Sequence, residues 1–372
     1  MAKPNCDIQP HRLRRLVQRM INIYSPSGKE KEVLDYLHGF LKRYDLPLIR
    51  QPVDERRYNL LIIPPEIDAQ LVLVGHVDTV SAYDLEDFGY EEQGDEIIGL
   101  GSADMKGGCA AMIEAYLSAH QVLGRPPAGA LALVVGEEEE GDGARRLVRD
   151  HHFPWAVIGE PTDLKPGLSH FGYLEIAIIT RGKRRHASLA SGSRNAVVAM
   201  LHLLPRITQF WQEGWPEAVV NIRDLNTSSG GFAVPDRCEV WLDVHLPPAT
   251  ALGEITLELE QLVADGRSRD PDLDVSLRFT EVHSGYQIPD RGPILDRFRE
   301  AFARNGLVWV PTPFQSHSDA NQLWSAGIKP LLLGPGRLEK AHSADESVSF
   351  AQLCQAARLY LDLLLHWEDR ER

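Results

Sequence analysis

The sequence predicts an α/β protein built on a mostly parallel sheet flanked by helices and carrying an inserted α+β domain. Three observations predict it. Short continuously apolar runs at residues 71–75, 131–135 and 155–159 are bounded by turn residues, as strands covered on both faces are. Helical patterns alternate with these runs. Between about 173 and 282 the pattern changes to several strands of alternating character and two helices, and a length of 372 residues suits two domains.

Taken in order, Leu13, Leu16, Val17, Met20 and Ile21 recur at helical spacing over residues 11–24. Ser27 and Glu30 read as a capping box for a second helix carrying Val33, Leu34, Leu37 and Leu41. Residues 58–63 read as a strand closed by Pro64 and Pro65. The run at 71–75 ends in Gly75-His76-Val77-Asp78. A glycine-rich turn over 99–108 leads into a helix at 109–119, and the run at 131–135 ends in Gly136 followed by Glu137-Glu138-Glu139-Glu140. A helix over 143–150 and a strand over 155–159 follow, the latter ending in Glu160-Pro161. The insert reads as strands at 174–180, 219–222, 238–246 and 275–279 with helices at 194–211 and 254–264. Helix, strand and helix then resume at 295–305, 330–333 and 350–367.

A formal net charge of -14 argues against nucleic acid or an anionic membrane surface as partner, because both reward basic patches. It also leaves carboxylates available to hold cations. Cys6, Cys109, Cys238 and Cys354 show no Cys-x-x-Cys spacing and read as free thiols of a reducing compartment. The N-terminal residues carry no apolar signal-like run, and 359–367 is too short to span a bilayer, so a cytoplasmic protein is expected.

Several metal-type residues share one placement. His76, the glutamate run and Glu160 each follow an apolar strand, and His342 comes shortly after another, at the sheet edge where open α/β sheets bind ligands. Asp104 can reach that edge from its glycine-rich turn. Mixed imidazole and carboxylate donors suit zinc or another divalent transition metal. Each residue alone has an ordinary explanation, such as a cap, a turn acid or a solvated face. Their joint order points to a metal site.

These residues carry a resemblance. Gly75-His76-Val77-Asp78-Thr79-Val80, Gly101-Ser102-Ala103-Asp104-Met105-Lys106-Gly107-Gly108, the Glu-Glu pair, Gly159-Glu160-Pro161-Thr162 and Ala341-His342-Ser343-Ala344-Asp345-Glu346 are similar to the motifs of the co-catalytic zinc aminoacylase/carboxypeptidase family, which includes acetylornithine deacetylase, succinyl-diaminopimelate desuccinylase and glutamate carboxypeptidase. The resemblance implies two zinc ions per subunit, replaceable by cobalt or manganese, with Asp104 bridging them. It implies His76 and Glu160 on one ion, Glu139 and His342 on the other, Glu138 as general base, and Asp78 orienting His76. A cis peptide between Asp104 and Met105 also follows from it. The four-glutamate run admits two registers: Glu138/Glu139 as base and ligand, preferred because Glu137 then fills an acidic position before the pair, or Glu137/Glu138.

The resemblance further implies a catalytic domain over 1–172 and 283–372 and a lid and dimerisation domain over 173–282, hence a homodimer. His186, within Gly182-Lys183-Arg184-Arg185-His186, would stabilise an oxyanion across the dimer. Three residues are candidates for substrate binding: His245, standing where the family has arginine; Asn321, in Ser318-Asp319-Ala320-Asn321; and Arg337, either a carboxylate clamp or a surface arginine. Phe232 replaces another family residue, an asparagine, and His317 stands where glycine is common. The expected activity is deacylation of an N-acyl amino acid, of acetylornithine or acetyl-lysine type, in amino-acid biosynthesis. The alternative is a carboxypeptidase or dipeptidase on short peptides. A non-catalytic binding homologue would have lost a ligand or the base, and none is lost. A serine hydrolase would want Gly-x-Ser-x-Gly after a strand, which is not found.

Overall fold

The computed structural model describes residues 7–65, 68–82, 88–190, 194–228 and 231–367. Cys6 lies outside them, and Cys109, Cys238 and Cys354 are free. Contacts divide the chain into two compact units, one within Met1–Leu168, Ile288–Phe314 and Ser318–Arg372, the other Ser169–Gln287 with Gln315–His317.

The larger unit is built on a six-stranded sheet in the order Leu48–Pro52, Tyr58–Ile62, Ala130–Val134, Leu71–His76, Trp155–Ile158, Lys329–Leu332. The last four run parallel, and the first two pair antiparallel at one edge. Every residue of Leu71–His76 and Ala130–Val134 is buried, which is why their sequences are continuously apolar rather than alternating. The edge strand Leu48–Pro52 carries no such run, and its pattern gave no strand signal.

The helix Lys106–Leu123 is buried throughout its first fourteen residues, Lys106 to Ala119. It packs on the strand Leu71–His76 and against the helices Pro10–Ile21 and Phe350–His366. Gly108 permits this approach, since a Cβ there would stand 2.4 Å from the Gly159 carbonyl oxygen. Inside the layer, Arg12 and Glu114 form a two-pronged ion pair, Nε to Oε2 at 2.6 Å and Nη2 to Oε1 at 2.8 Å, with the glutamate side chain fully buried. The planar guanidinium fork matches a carboxylate, which lets both charges leave water together.

The capping box expected at Ser27 is not formed. The helix begins at Lys31 with no side-chain cap, and the Ser27 hydroxyl donates instead to Asp78 Oδ2 at 2.7 Å. A fully buried carboxylate demands donors more strongly than a helix end open to water does.

The smaller unit is a four-stranded antiparallel sheet in the order Val219–Thr227, Arg237–Leu246, Gly172–Arg181, Asp274–His283. Strict alternation along Arg237–Leu246 buries Cys238, Val240, Leu242, Val244 and Leu246 with the apolar stripes of the helices Ala196–Gly214 and Leu252–Arg269. Asn195 caps the first of these helices, accepting from the Val197 and Val198 amides. The edge strand runs on to Thr227 through a bulge between Ile222 and Asp224, beyond the 219–222 expected from its apolar residues.

Candidate metal centre

Three neighbouring parallel strands deliver the first side chains. His76 closes its strand, Glu160 follows Gly159 beyond Trp155–Ile158, and the glutamate run follows Ala130–Val134. All belong to the larger unit, as do Asp104 and His342. Asp104 stands in the turn before the helix Lys106–Leu123, and its peptide bond to Met105 is cis, as the resemblance implies. His342 takes a left-handed backbone, φ 57°, which side-chain-bearing residues adopt at a cost and mostly at functional positions.

The side chains converge. His76 Nε2 lies 3.2 Å from Asp104 Oδ1, 3.7 Å from Glu137 Oε2 and 3.9 Å from Glu160 Oε1. His342 Nε2 lies 2.9 Å from Glu138 Oε2 and 3.6 Å from Asp104 Oδ2. The two oxygens of Asp104 thus face different histidines. Three groups hold donor atoms close enough to share an ion: His76, Asp104 and Glu160; Asp104, Glu138 and His342; and His76, Glu137 and Glu138.

Of the glutamate run, Glu137 and Glu138 are the pair that reaches the cluster. Gly136, at φ 74°, turns the chain, and the Gly141 amide donates to the Gly136 carbonyl at 2.6 Å, closing the run into a tight loop. Glu137 and Glu138 stay on the strand-end side, where the Glu138 amide donates to Asp78 Oδ2 at 3.0 Å. Glu139 is carried round to the exposed side and lines a surface cavity with Arg56, Arg57 and Glu140. Glu139 thus stands outside the cluster: Glu138 occupies the place beside His342, and Glu137 the place beside His76.

Asp78 stands behind His76, but the ring Nδ1 meets its main-chain carbonyl at 3.1 Å, with the carboxylate at 3.6 Å. The carboxylate instead accepts from Ser27 and from the Glu138 amide, so it braces the loop as well as the ring.

The electrostatics favour a cation. Burial raises the carboxyl pKa of Glu137, Glu138 and Glu160, and repulsion among the acids adds to it. Burial also pushes Asp104 up, but its bond to His76 and the nearby imidazoles outweigh that and hold it below the usual range. The His342 imidazole is pushed up to about 9, chiefly by its hydrogen bond to Glu138. His76 is raised because Glu137, Asp104 and their neighbours overcome its burial. Glu160 Oε1 is buried without a hydrogen-bond partner. Crowded buried carboxylates, two imidazoles and an orphaned acceptor oxygen fit divalent ions.

Asp319 was missed as a participant by sequence reasoning. It is buried, its Oδ1 has no partner, and burial pushes its carboxyl up to about 7, while its charge helps raise Glu137 and Glu160. Only its place after Ser318 at a helix start hinted at it.

Of the remaining candidates, Asn321 and Arg337 belong to the larger unit, and His186 and His245 to the other. Asn321 is buried at the start of Ala320–Ser325, and the Ser318 amide approaches its Oδ1 at 3.4 Å. Arg337 is exposed, 3.6 Å from the Asp163 carboxylate, in a cavity of about 820 Å³ whose walls include none of the clustered side chains. In the smaller unit, His186 is exposed and its Nδ1 meets Ser188 Oγ at 2.8 Å. There His245 lies beside Tyr173, ring centroids 5.2 Å apart, and burial lowers its pKa, so it is neutral near pH 7 where the arginine it replaces would be charged. Phe232 is 87% exposed. Among the described residues no helix is long and apolar enough to cross a membrane.

Residues 72–366 match the model of peptidase family M20/M25/M40. A protein of Aspergillus terreus described as a "Probable carboxypeptidase" is 28% identical over 93% of this chain and 84% of its own length. Among solved structures, a tripeptidase from Staphylococcus aureus superposes with a TM-score of 0.79 at 20% identity, covering 96% of this chain and 98% of that one. Human carnosine dipeptidase 1 superposes with a TM-score of 0.78 at 12% identity, covering 96% of each chain. With its motifs, its sheet-edge cluster and this match in agreement, the chain belongs to the peptidase family M20/M25/M40 and is a metal-dependent hydrolase.

Proposed function

We propose that this protein hydrolyses the terminal peptide bond of short peptides, as a carboxypeptidase or dipeptidase, using two zinc ions. The observation that carries it is the split of the glutamate pair: Glu138 beside Asp104 and His342, and Glu137 beside His76 with no hydrogen bond to His342. His76, Asp104 and Glu160 would hold one ion, and Asp104, Glu138 and His342 the other. When bound, the ions supply a water acidified for attack and a polarised carbonyl. Glu137 is the general base: it takes the water's proton and returns it to the leaving amine. Burial raises its carboxyl pKa, which suits a group that must both accept and release a proton near neutral pH.

Peptides take precedence over the N-acyl amino acids expected from the sequence because the relatives of this chain carry peptidase names. Turnover of dipeptides and tripeptides with free and amidated C-termini, beside acetylornithine and acetyl-lysine, tests this. Peptides with a free C-terminus should be cleaved with the highest kcat/KM. Preferential hydrolysis of the acyl amino acids would return the assignment to deacylation.

A homodimer through the smaller unit completes the proposal. The edge strand Val219–Thr227 exposes Val219, Ile222 and Leu225, and Val198 and Leu201 are exposed on the helix Ala196–Gly214. Open strand edges with apolar side chains are natural pairing surfaces. His186 is exposed and so available to a partner's site. A monomeric mass by light scattering would remove this part.

A further inference from the structure

We infer that Glu346 is a positioning residue that locks the loop of Asp104 to the loop of His342 and thereby sets the metal affinity of the centre in which Asp104 belongs to both ion positions. The inference rests on the two-ion reading above. The Glu346 carboxylate is 2% exposed and is filled by main-chain donors: Oε1 accepts from the amides of Ala103 and Asp104, Oε2 from the amide of Gly101, each at 2.9 Å. One side chain thus orients three amides of the turn that ends in Asp104. Four residues before it stands His342, in its left-handed conformation. The Glu346 amide donates to the Ser343 carbonyl at 3.2 Å, which closes the intervening turn. The Asp104 turn and the turn that follows His342 are therefore held by one residue, its carboxylate on the Asp104 amide and its main chain on Ser343.

This grip is separable from the fold. The Gly99 amide donates to the Glu346 carbonyl at 3.0 Å, and Ser347–Ser349 pairs with Glu96–Ile98; both are main-chain contacts that any residue at 346 would keep. Removing the carboxylate frees the 101–104 amides without detaching the segment. Groups that orient metal ligands by hydrogen bonds typically govern affinity by about 10- to 100-fold when removed.

The test is titration of metal-free wild type, Glu346→Gln and Glu346→Ala with cobalt(II), followed by visible absorption, beside thermal melts of the metal-free proteins. Cobalt binding should weaken by about 10- to 100-fold in Glu346→Ala at the positions that use Asp104. The loss should be smaller in Glu346→Gln, which keeps one oxygen acceptor, and should exceed what any fall in metal-free melting temperature accounts for. Wild-type affinity for both equivalents in both variants overturns the inference. So does weakening fully matched by a fall in metal-free melting temperature, since that marks a structural role alone. Should Glu346→Ala fail to fold, Glu346→Gln and Glu346→Asp carry the comparison. A wild type that takes up no cobalt overturns the two-ion reading itself, and this inference with it.

Discussion

His342 Nε2 stands 2.9 Å from Glu138 Oε2, across 204 positions of sequence. On the proposed two-ion reading, this contact makes Glu138 the ligand partner of His342 and leaves its neighbour Glu137, 3.7 Å from His76, as the proton acceptor.

Substituting the three glutamates one at a time should separate their roles. Glu137→Gln should lower kcat by about 100- to 10,000-fold with metal content unchanged. Glu138→Gln should lose part of the bound metal, and Glu139→Gln, altering an exposed side chain, should leave both near wild type. Steady-state kinetics with elemental analysis reads all three. Full metal content in Glu138→Gln with a dead Glu139→Gln would restore the other register.

Chelation should abolish activity and also destabilise the fold. Buried acids left without a counter-ion repel one another, and a ligand at a hundred times its Kd stabilises the native state by about 2.7 kcal/mol. Melting of chelated and zinc-reloaded protein should differ by several degrees, and zinc, cobalt or manganese should restore turnover. Activity that survives exhaustive removal of metal would contradict the assignment.

Glu114→Ala should cost about 3–5 kcal/mol in urea denaturation, because it strands the Arg12 guanidinium inside the helical layer. The double variant Arg12→Leu with Glu114→Leu should recover much of that loss. A single variant as stable as wild type would show the pair to be hydrated.

Acid should weaken the smaller unit through His170. Burial holds its pKa down to about 3, from an ordinary 6.5. Between those values the unfolded chain takes a proton that the folded state refuses, so stability falls as pH drops from about 6.5 toward 3, by up to about 1.4 kcal/mol per pH unit. His170 stacks on Tyr286 at 5.4 Å, nearly parallel, so His170→Phe keeps a ring there while removing the titration. Urea melts from pH 4 to 7 should show a shallower slope in the variant. Equal slopes would assign the acid sensitivity elsewhere.

Much of this site was legible because parallel strands announce themselves. A strand buried on both faces must be apolar along its length, so the polar residue that ends it stands out, as His76 and Glu160 do. The glutamate run was legible as a site but not in register, since four identical side chains carry no mark of direction. The left-handed turn at Gly136 and the donation to Asp78 bring Glu137 and Glu138, rather than Glu139, to the cluster. Asp319 and the Glu346 carboxylate were opaque for a different reason: their partners lie far off in sequence, and local spacing encodes neither. Ser27 shows the converse, a good local motif overruled by a buried acid that arrives from residue 78.

The order of the ligands along the chain has a consequence for biosynthesis. His76, Asp104, Glu138 and Glu160 all emerge from the ribosome before the inserted unit, whereas His342 emerges near the end. A growing chain can therefore assemble the donors of the first ion early, but the second position stays incomplete until the C-terminal segment docks. Loading of the proposed second position therefore waits on the segment that carries His342, and a product lacking that segment would keep only the donors of the first.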